Sequence, residues 1–196
     1  MRLSILQYGD PILRAKGKRI EKIDDRICEL AQNMIETMHA ANGVGLAAPQ
    51  VGESLQLTVL DVSQVEDRPS TMKLNGKRVD PNMFMPLILI NPELSLSNET
   101  ELGIEGCLSI PDVSDDVSRA RTVKLRARNL EGPLEIEASD FLARALQHEI
   151  DHLNGILFID RLVSARKLKW NRTLRRLEKE YRARRKDKRP AGATVA

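Results

Sequence analysis

The sequence predicts an α+β fold: antiparallel β-sheets packed around a central helix carrying His-Glu-Ile-Asp-His (HEIDH) at 148–152, with a further helix at the C-terminus. Three observations carry that prediction. Helical and extended periodicities are segregated along the chain in the order helix, strands, helix, tail helix, where an α/β fold would alternate them. Two extended runs, 122–130 and 134–138, are joined only by Glu131-Gly132-Pro133, a turn that brings the chain back on itself. Finally, 41% hydrophobic residues in a chain of 196 suffice for a core, and with only 3% aromatics that core is aliphatic.

The elements follow in order. Asp10-Pro11-Ile12-Leu13 reads as a turn entering the fold. Over 24–41 the apolar residues Ile27, Leu30, Ala31, Met34, Ile35 and Met38 recur at three- and four-residue spacing, the mark of an amphipathic helix that Asp24 or Asp25 can cap. Gly43, Gly45, Pro49 and Gly52 then mark a loop. LQLTVLDV (55–62) reads as a strand and LILINPEL (87–94) as a second. The polar, turn-rich stretch 63–86 between them reads as a surface insertion with no chemistry of its own. In TVKLRARNL (122–130), Val123, Leu125 and Ala127 alternate with Lys124, Arg126 and Arg128, as in a half-buried strand, and LEIEA (134–138) returns beside it. Ser139 or Asp140 caps a helix running to about Asn154, and Gly155 stops it. ILFIDRL follows, and the last helix begins near Ser164. The expected organisation is a catalytic domain over 1–165, including the 63–86 insertion, and a basic helix and tail over 166–196.

Charge is unevenly placed. Residues 164–189 hold thirteen Lys or Arg against three acids, a surplus of ten, so a net charge of +3 leaves −7 for the rest. A basic segment of this kind attracts polyanions. The apolar run Leu87–Ile90 is far too short to span a bilayer. The first residues lack the continuous apolar stretch of a secretory signal. A cytoplasmic protein with no membrane partner is therefore expected, and in a reducing compartment Cys28 and Cys107 stay unpaired.

QHEIDHLNG (147–155) raises a question of chemistry. On a helix, His148 and His152 stand one turn apart on one face and can share a metal ion, with Glu149 beside them as general base. A catalytic site of this type usually has three protein ligands and an open position. Cys107, in EGCLSIP (105–111), is either a soft third ligand at a bent strand end or a buried thiol. Cys28, in mid-helix among Ile27 and Leu30, reads as a small buried hydrophobe.

GVGLAAPQ (43–50), EGCLS (105–109) and QHEIDH (147–152), in that order, resemble the three signature motifs of peptide deformylase, and GDPILR (9–14) is similar to that family's N-terminus. The resemblance covers roughly residues 3–165. It implies removal of the formyl group from the N-terminal formylmethionine of new proteins, with Cys107, His148 and His152 as metal ligands and Glu149 as acid–base group. It nominates the Gln50 side-chain amide and the Leu108 backbone N–H as donors to the oxyanion. Gly43, Val44, Gly45, Glu105 and Gly106 would meet the substrate, with Val44 and Leu108 as apolar neighbours of its methionine. Glu105 has a second expected role, pairing with Arg119 to orient the site. The cofactor implied is one divalent metal, iron(II) in the cell, which zinc, nickel or cobalt can replace. The partners are N-formylmethionyl nascent peptides, with ribosome docking through the basic C-terminal helix and no dinucleotide cofactor.

Two features depart from the family pattern: the 63–86 insertion, and an acidic rim of Asp112, Asp115 and Asp116 after the cysteine motif. Two rival readings weigh less. A zinc peptidase would share Glu149 and the metal but needs neither Cys107 nor GVGLAAPQ. A nucleic-acid-binding protein with a structural zinc site would normally close it with a fourth Cys or His.

Overall fold

Helix α2 (Asp140–Leu153) lies between two antiparallel sheets in this computed structural model, which describes residues 1–187. It is a helix without a solvent face: eleven of its fourteen residues are buried, including Arg144, Gln147, Glu149, Asp151 and His152. Polar groups buried at that density need partners within the protein, and the surrounding sheets supply them.

The larger sheet has seven strands in the order β1-β2-β5-β8-β9-β3-β4, formed by β1 (Gly45–Ala47), β2 (Leu57–Leu60), β5 (Leu87–Leu96), β8 (Thr122–Arg128), β9 (Pro133–Ser139), β3 (Ser70–Leu74) and β4 (Lys77–Val79). Val123, Leu125 and Ala127 of β8 and Leu134, Ile136 and Ala138 of β9 turn one face onto Leu142, Ala143 and Leu146 of α2. Helix α1 (Asp25–Ala40) packs Leu30, Ala31, Met34 and Met38 against Leu46, Leu57 and Val59 of β1 and β2. Its cap is Asp24, whose carboxylate accepts the Ile27 N–H at 3.1 Å.

The second sheet is the hairpin of β6 (Thr100–Cys107) and β7 (Ile110–Ala120), of which the sequence expectation held only the bent strand end at Cys107. Their buried side chains include Glu105, Asp115 and Arg119, while Leu102 and Ile104 are 71% and 63% exposed. Buried acids and Arg119 stand among buried Ile110, Val113 and Val117, so the apolar residues do not mark one face and the strand signal is weak there. The pairing shifts register between Gly106 and Cys107, which leaves Cys107 at the bent end of β6. Gln147 ties α2 to this hairpin: its side chain accepts the Ala120 N–H at 3.0 Å and donates to the Ala120 carbonyl at 2.8 Å.

The 63–86 segment differs from the surface loop expected of it. It contains β3, which joins the large sheet beside β9 and buries Met72, and β4, which continues the edge. Asn75 and Gly76 link the two with φ of 49° and 80°, the left-handed pair that a two-residue hairpin requires. The segment also caps α2. Ser139 occupies the N-cap position, but its hydroxyl meets Thr122, and Asp140 pairs with Arg121. The Asp140 N–H goes to the Arg121 carbonyl at 2.9 Å, and the next two go to the Pro69 carbonyl (Phe141, 3.0 Å) and the Ser70 hydroxyl (Leu142, 3.2 Å). At the other end, Gly155 takes φ 73°, and a Cβ there would stand 2.7 Å from the Arg14 carbonyl carbon.

Helix α3 (Ser164–Asp187) lies along β7. Leu174 and Leu177 are buried in a cluster with Leu13, Ile110, Val113 and Phe158, against which Cys107 and Trp170 also pack. The acids expected as a rim around the cleft are turned to this helix. Asp115 is buried and accepts from Trp170 at 2.8 Å and from Arg166; Asp116 pairs with Arg166 at 3.1 Å and Asp112 with Arg176 at 3.2 Å. The cause is charge complementarity: a helix rich in Arg and Lys docks where the body is acidic. Residues 188–196, the end of the expected tail, lie outside the described residues.

Candidate metal centre and active site

His148 and His152 project from one face of α2 with their Nε2 atoms 3.2 Å apart, as four-residue spacing dictates. The bent end of β6 brings Cys107 Sγ to 3.2 Å from His152 Nε2. One donor atom from each residue falls within 4.8 Å of the other two. Of the two cysteines, then, the structure brings Cys107 to the histidines, while Cys28 is half-buried on α1 and packs elsewhere. His39 is also elsewhere, bonded to Asp61 at 2.8 Å.

The orientation of His148 is set by Glu105, whose Oε2 lies 3.0 Å from Nδ1. That bond holds the tautomer whose Nε2 carries a lone pair, the usual support for a metal-binding imidazole. Glu105 is itself gripped by Arg119 at 2.8 and 2.9 Å and by Arg144 at 3.0 Å. Arg119 reaches on to Asp151 at 2.6 Å, and Arg161 holds the other oxygen of Asp151. Burial pushes the Glu105 carboxyl up, but the bonds from Arg119 and His148 outweigh it and bring it to about 2. Of its two expected roles, pairing with Arg119 is the one its contacts display. Both oxygens are engaged within the protein, although the residue stands in the cavity wall.

The donor set suits a divalent metal by its chemistry, one thiolate and two imidazoles. The electrostatics agree. Burial lowers the pKa of His148, yet its bonds with Cys107 and Glu105 push it up to about 10, so the site draws positive charge. His152 goes the other way, well down, from burial and the adjacent His148. Its buried Nδ1 has no hydrogen-bond partner among the described residues.

Glu149 faces the same cavity, about 450 Å³ in volume, and is 4% exposed. Burial pushes its carboxyl up to about 7, within the range where a group can both take and give a proton at neutral pH. Thr58 Oγ1 lies 3.3 Å from its Oε2 and 3.0 Å from the Leu46 carbonyl, so one hydroxyl proton serves two acceptors in turn. Gly45 passes directly beneath. A Cβ there would stand 2.6 Å from Glu149 Cδ, so the absence of a side chain is a steric requirement. Gly43 makes similar room, since its Cβ would stand 2.7 Å from Leu108 Cδ1.

Gln50 is 2% exposed and its amide is held one way round. Oε1 accepts the Ala47 N–H at 2.8 Å, which turns Nε2 to Ser109 Oγ at 3.2 Å and Cys107 Sγ at 3.5 Å. Val44, Gly106 and Leu108 complete the expected residues around the cavity. Sequence reasoning missed Thr58, Arg144 and Arg68, which also stand at or against it. Arg144 carried a signal: it precedes His148 by four residues and shares its helix face. Thr58 carried none, because its neighbours are set by sheet pairing.

Residues 2–168 match the Polypeptide deformylase family. The chain is 48% identical to a peptide deformylase of Methylacidiphilum infernorum over 168 residues, covering 85% of this chain and 88% of the relative. It is 43% identical to that of Acinetobacter baumannii over 188 residues, covering 95% and 96%. Among solved structures, a plant peptide deformylase superposes with a TM-score of 0.79 at 36% identity, covering 93% of this chain and 92% of the other.

Proposed function

This chain belongs to the polypeptide deformylase family, metal-dependent hydrolases that remove the formyl group from N-terminal formylmethionine, and from that premise we propose how its residues divide the work. Cys107, His148 and His152 hold one metal ion. The observation that carries this is the gathering of their donor atoms within 4.8 Å. Bound there, a divalent ion supplies a Lewis acid and brings the pKa of water towards ~7. It is iron(II) in the cell, and zinc, nickel or cobalt can take its place, because thiolate and imidazole donors accept all of these.

Glu149 takes the proton from the attacking water. As the water oxygen joins the formyl carbon, the carbonyl oxygen gains charge, and the Gln50 Nε2–H and Leu108 backbone N–H donate to it. The C–N bond then breaks and Glu149 passes its proton to the departing amine nitrogen, leaving formate and a free N-terminus. A carboxyl held at about 7 suits both halves of that transfer. Gly43, Val44, Gly45 and Gly106 admit the substrate backbone, and Val44 and Leu108 contact its methionine. Glu105 positions His148 instead of binding substrate.

Residues 1–165 are the catalytic unit, and the basic helix and tail over 166–196 dock it on the ribosome, where nascent chains emerge in the cytoplasm. What supports docking is the exposed basic face of α3, including Arg172, Arg175 and Lys179. The test of the reaction is a pair of peptides. Formyl-Met-Ala-Ser should yield formate and Met-Ala-Ser. Cleavage of a peptide bond in unblocked Met-Ala-Ser would point to a peptidase instead.

A further inference from the structure

Arg68, in the segment leading into β3, reaches the active-site cavity and lines it together with His148 and Glu149. The other charged groups of that cavity are engaged. Arg144 holds Glu105 and the carbonyls of Gly103 and Val117, Glu105 holds Arg119 and His148, and Glu149 is the buried acid–base group. Arg68 is half-buried, and its Cζ stands 4.0 Å over the ring of Phe141. Among the described residues no hydrogen bond or ion pair involves its guanidinium, although Glu66 and Asp67 are close by in sequence and exposed. Burial, and then the nearby Arg144, lower its pKa, so the charge is held there at a cost.

A cation fixed on an aromatic ring with its N–H groups unengaged is built to meet an acceptor. The planar fork of Arg matches a carboxylate with two parallel bonds, which a single peptide carbonyl cannot offer. The acids that would repel such a carboxylate, Asp112, Asp115 and Asp116, are paired with Arg176 and Arg166 of α3. We propose that Arg68 is a specificity residue, pairing with an acidic side chain one or two residues after the formylmethionine and so favouring acidic over basic substrates. The inference rests on the deformylase reading and extends it to the substrate sequence.

The test uses C-terminally amidated peptides, which removes the terminal carboxylate as a competing partner. Formyl-Met-Asp-Ala and formyl-Met-Ala-Asp amides are compared with their Asn and Lys counterparts, on the metal-loaded enzyme. In the better of the two positions, kcat/KM should favour Asp over Asn by about fivefold at low salt, the scale of a partly screened ion pair. The gain should lie mainly in KM and shrink as salt rises. Each variant is read as its own Asp-to-Asn ratio, which cancels any general loss of activity. That ratio should fall to about one in Arg68→Gln, stay partial in Arg68→Lys, and invert towards Lys in Arg68→Glu. A ratio unchanged in Arg68→Gln, or equal turnover of Asp and Asn peptides by the wild type at low salt, overturns the assignment. If the variants fail to fold, the salt dependence of the wild-type ratio decides alone. No formate from any of the peptides would overturn the deformylase reading itself.

Discussion

At the scale of single residues, the site is a set of side chains whose roles can be separated. Cys107→Ala should lose metal and activity together, whereas Cys28→Ala, on α1 and apart from the gathered donor atoms, should keep both. A Cys107→Ala protein that holds one equivalent of metal and turns over normally would end the ligand assignment. Glu149→Gln should keep the metal and lose at least ~10²-fold in turnover, the scale of a positioned acid–base group. Gly45→Ala tests the same group from the backbone side. Its Cβ would press on Glu149, within 2.6 Å of Cδ, and a displaced carboxylate should cost turnover by about 10²-fold with metal content unchanged. The two proposed histidine ligands were legible in the sequence because they are related by one helical turn, a local relation, whereas Cys107 lies on a distant strand and was chosen as a ligand only by the family resemblance. Glu105 was harder to place. Its partners Arg119 and Arg144 come from another strand and from α2, and only the fold shows that they engage both its oxygens.

At the scale of elements, α3 is part of the packed body as well as a carrier of charge. A helix that only carried charge could be removed without effect on the body. This one buries Leu174 and Leu177 in the cluster that backs Ile110 and Cys107. Truncation after Leu168 should therefore lower the melting temperature, and Leu177→Ala alone should cost about 2–4 kcal/mol. Asp115 adds a pH dependence. The hydrogen bond from Trp170, and then that from Arg166, bring its carboxyl to about 2, below its unfolded value near 3.9. A depressed folded pKa stabilises at all pH above the unfolded value, and that contribution is lost as pH falls from about 4 to about 2. Asp115→Asn should melt below wild type at pH 7, and the gap should narrow towards pH 2; a gap that stays constant would exclude the charge as its cause. Docking is tested separately by reversing Arg172, Arg175 and Lys179, which are exposed, to Glu. Co-sedimentation with ribosomes at low salt should be lost with melting unchanged. If the triple variant still sediments like wild type, the basic face is only solvated.

At the scale of the whole molecule, the sequence carried the class, the large-sheet strands β2, β5, β8 and β9, and both helices that frame the site. The helices and β8 and β9 each have an apolar face that repeats at its own period, as in Val123, Leu125 and Ala127 of β8, and β2 and β5 begin as short apolar runs. The β6–β7 hairpin was hidden because its buried residues mix Glu105, Asp115 and Arg119 with Ile110, Val113 and Val117, while Leu102 and Ile104 are exposed, so its apolar residues mark no single face. The β3–β4 hairpin was legible in principle through Asn75-Gly76, but only Met72 of β3 is buried, too little apolar pattern to announce a strand. In the proposed mechanism one metal, held by Cys107, His148 and His152, and one acid–base group, Glu149, together remove a formyl group. The most direct test is metal analysis of anaerobically purified protein, with formate release from formyl-Met-Ala-Ser measured on the same sample before and after chelation. One equivalent of metal per chain, formate release that disappears with the metal, and recovery when iron(II) is returned are the expected results. Formate release that continues at full rate in the metal-free protein would contradict that mechanism.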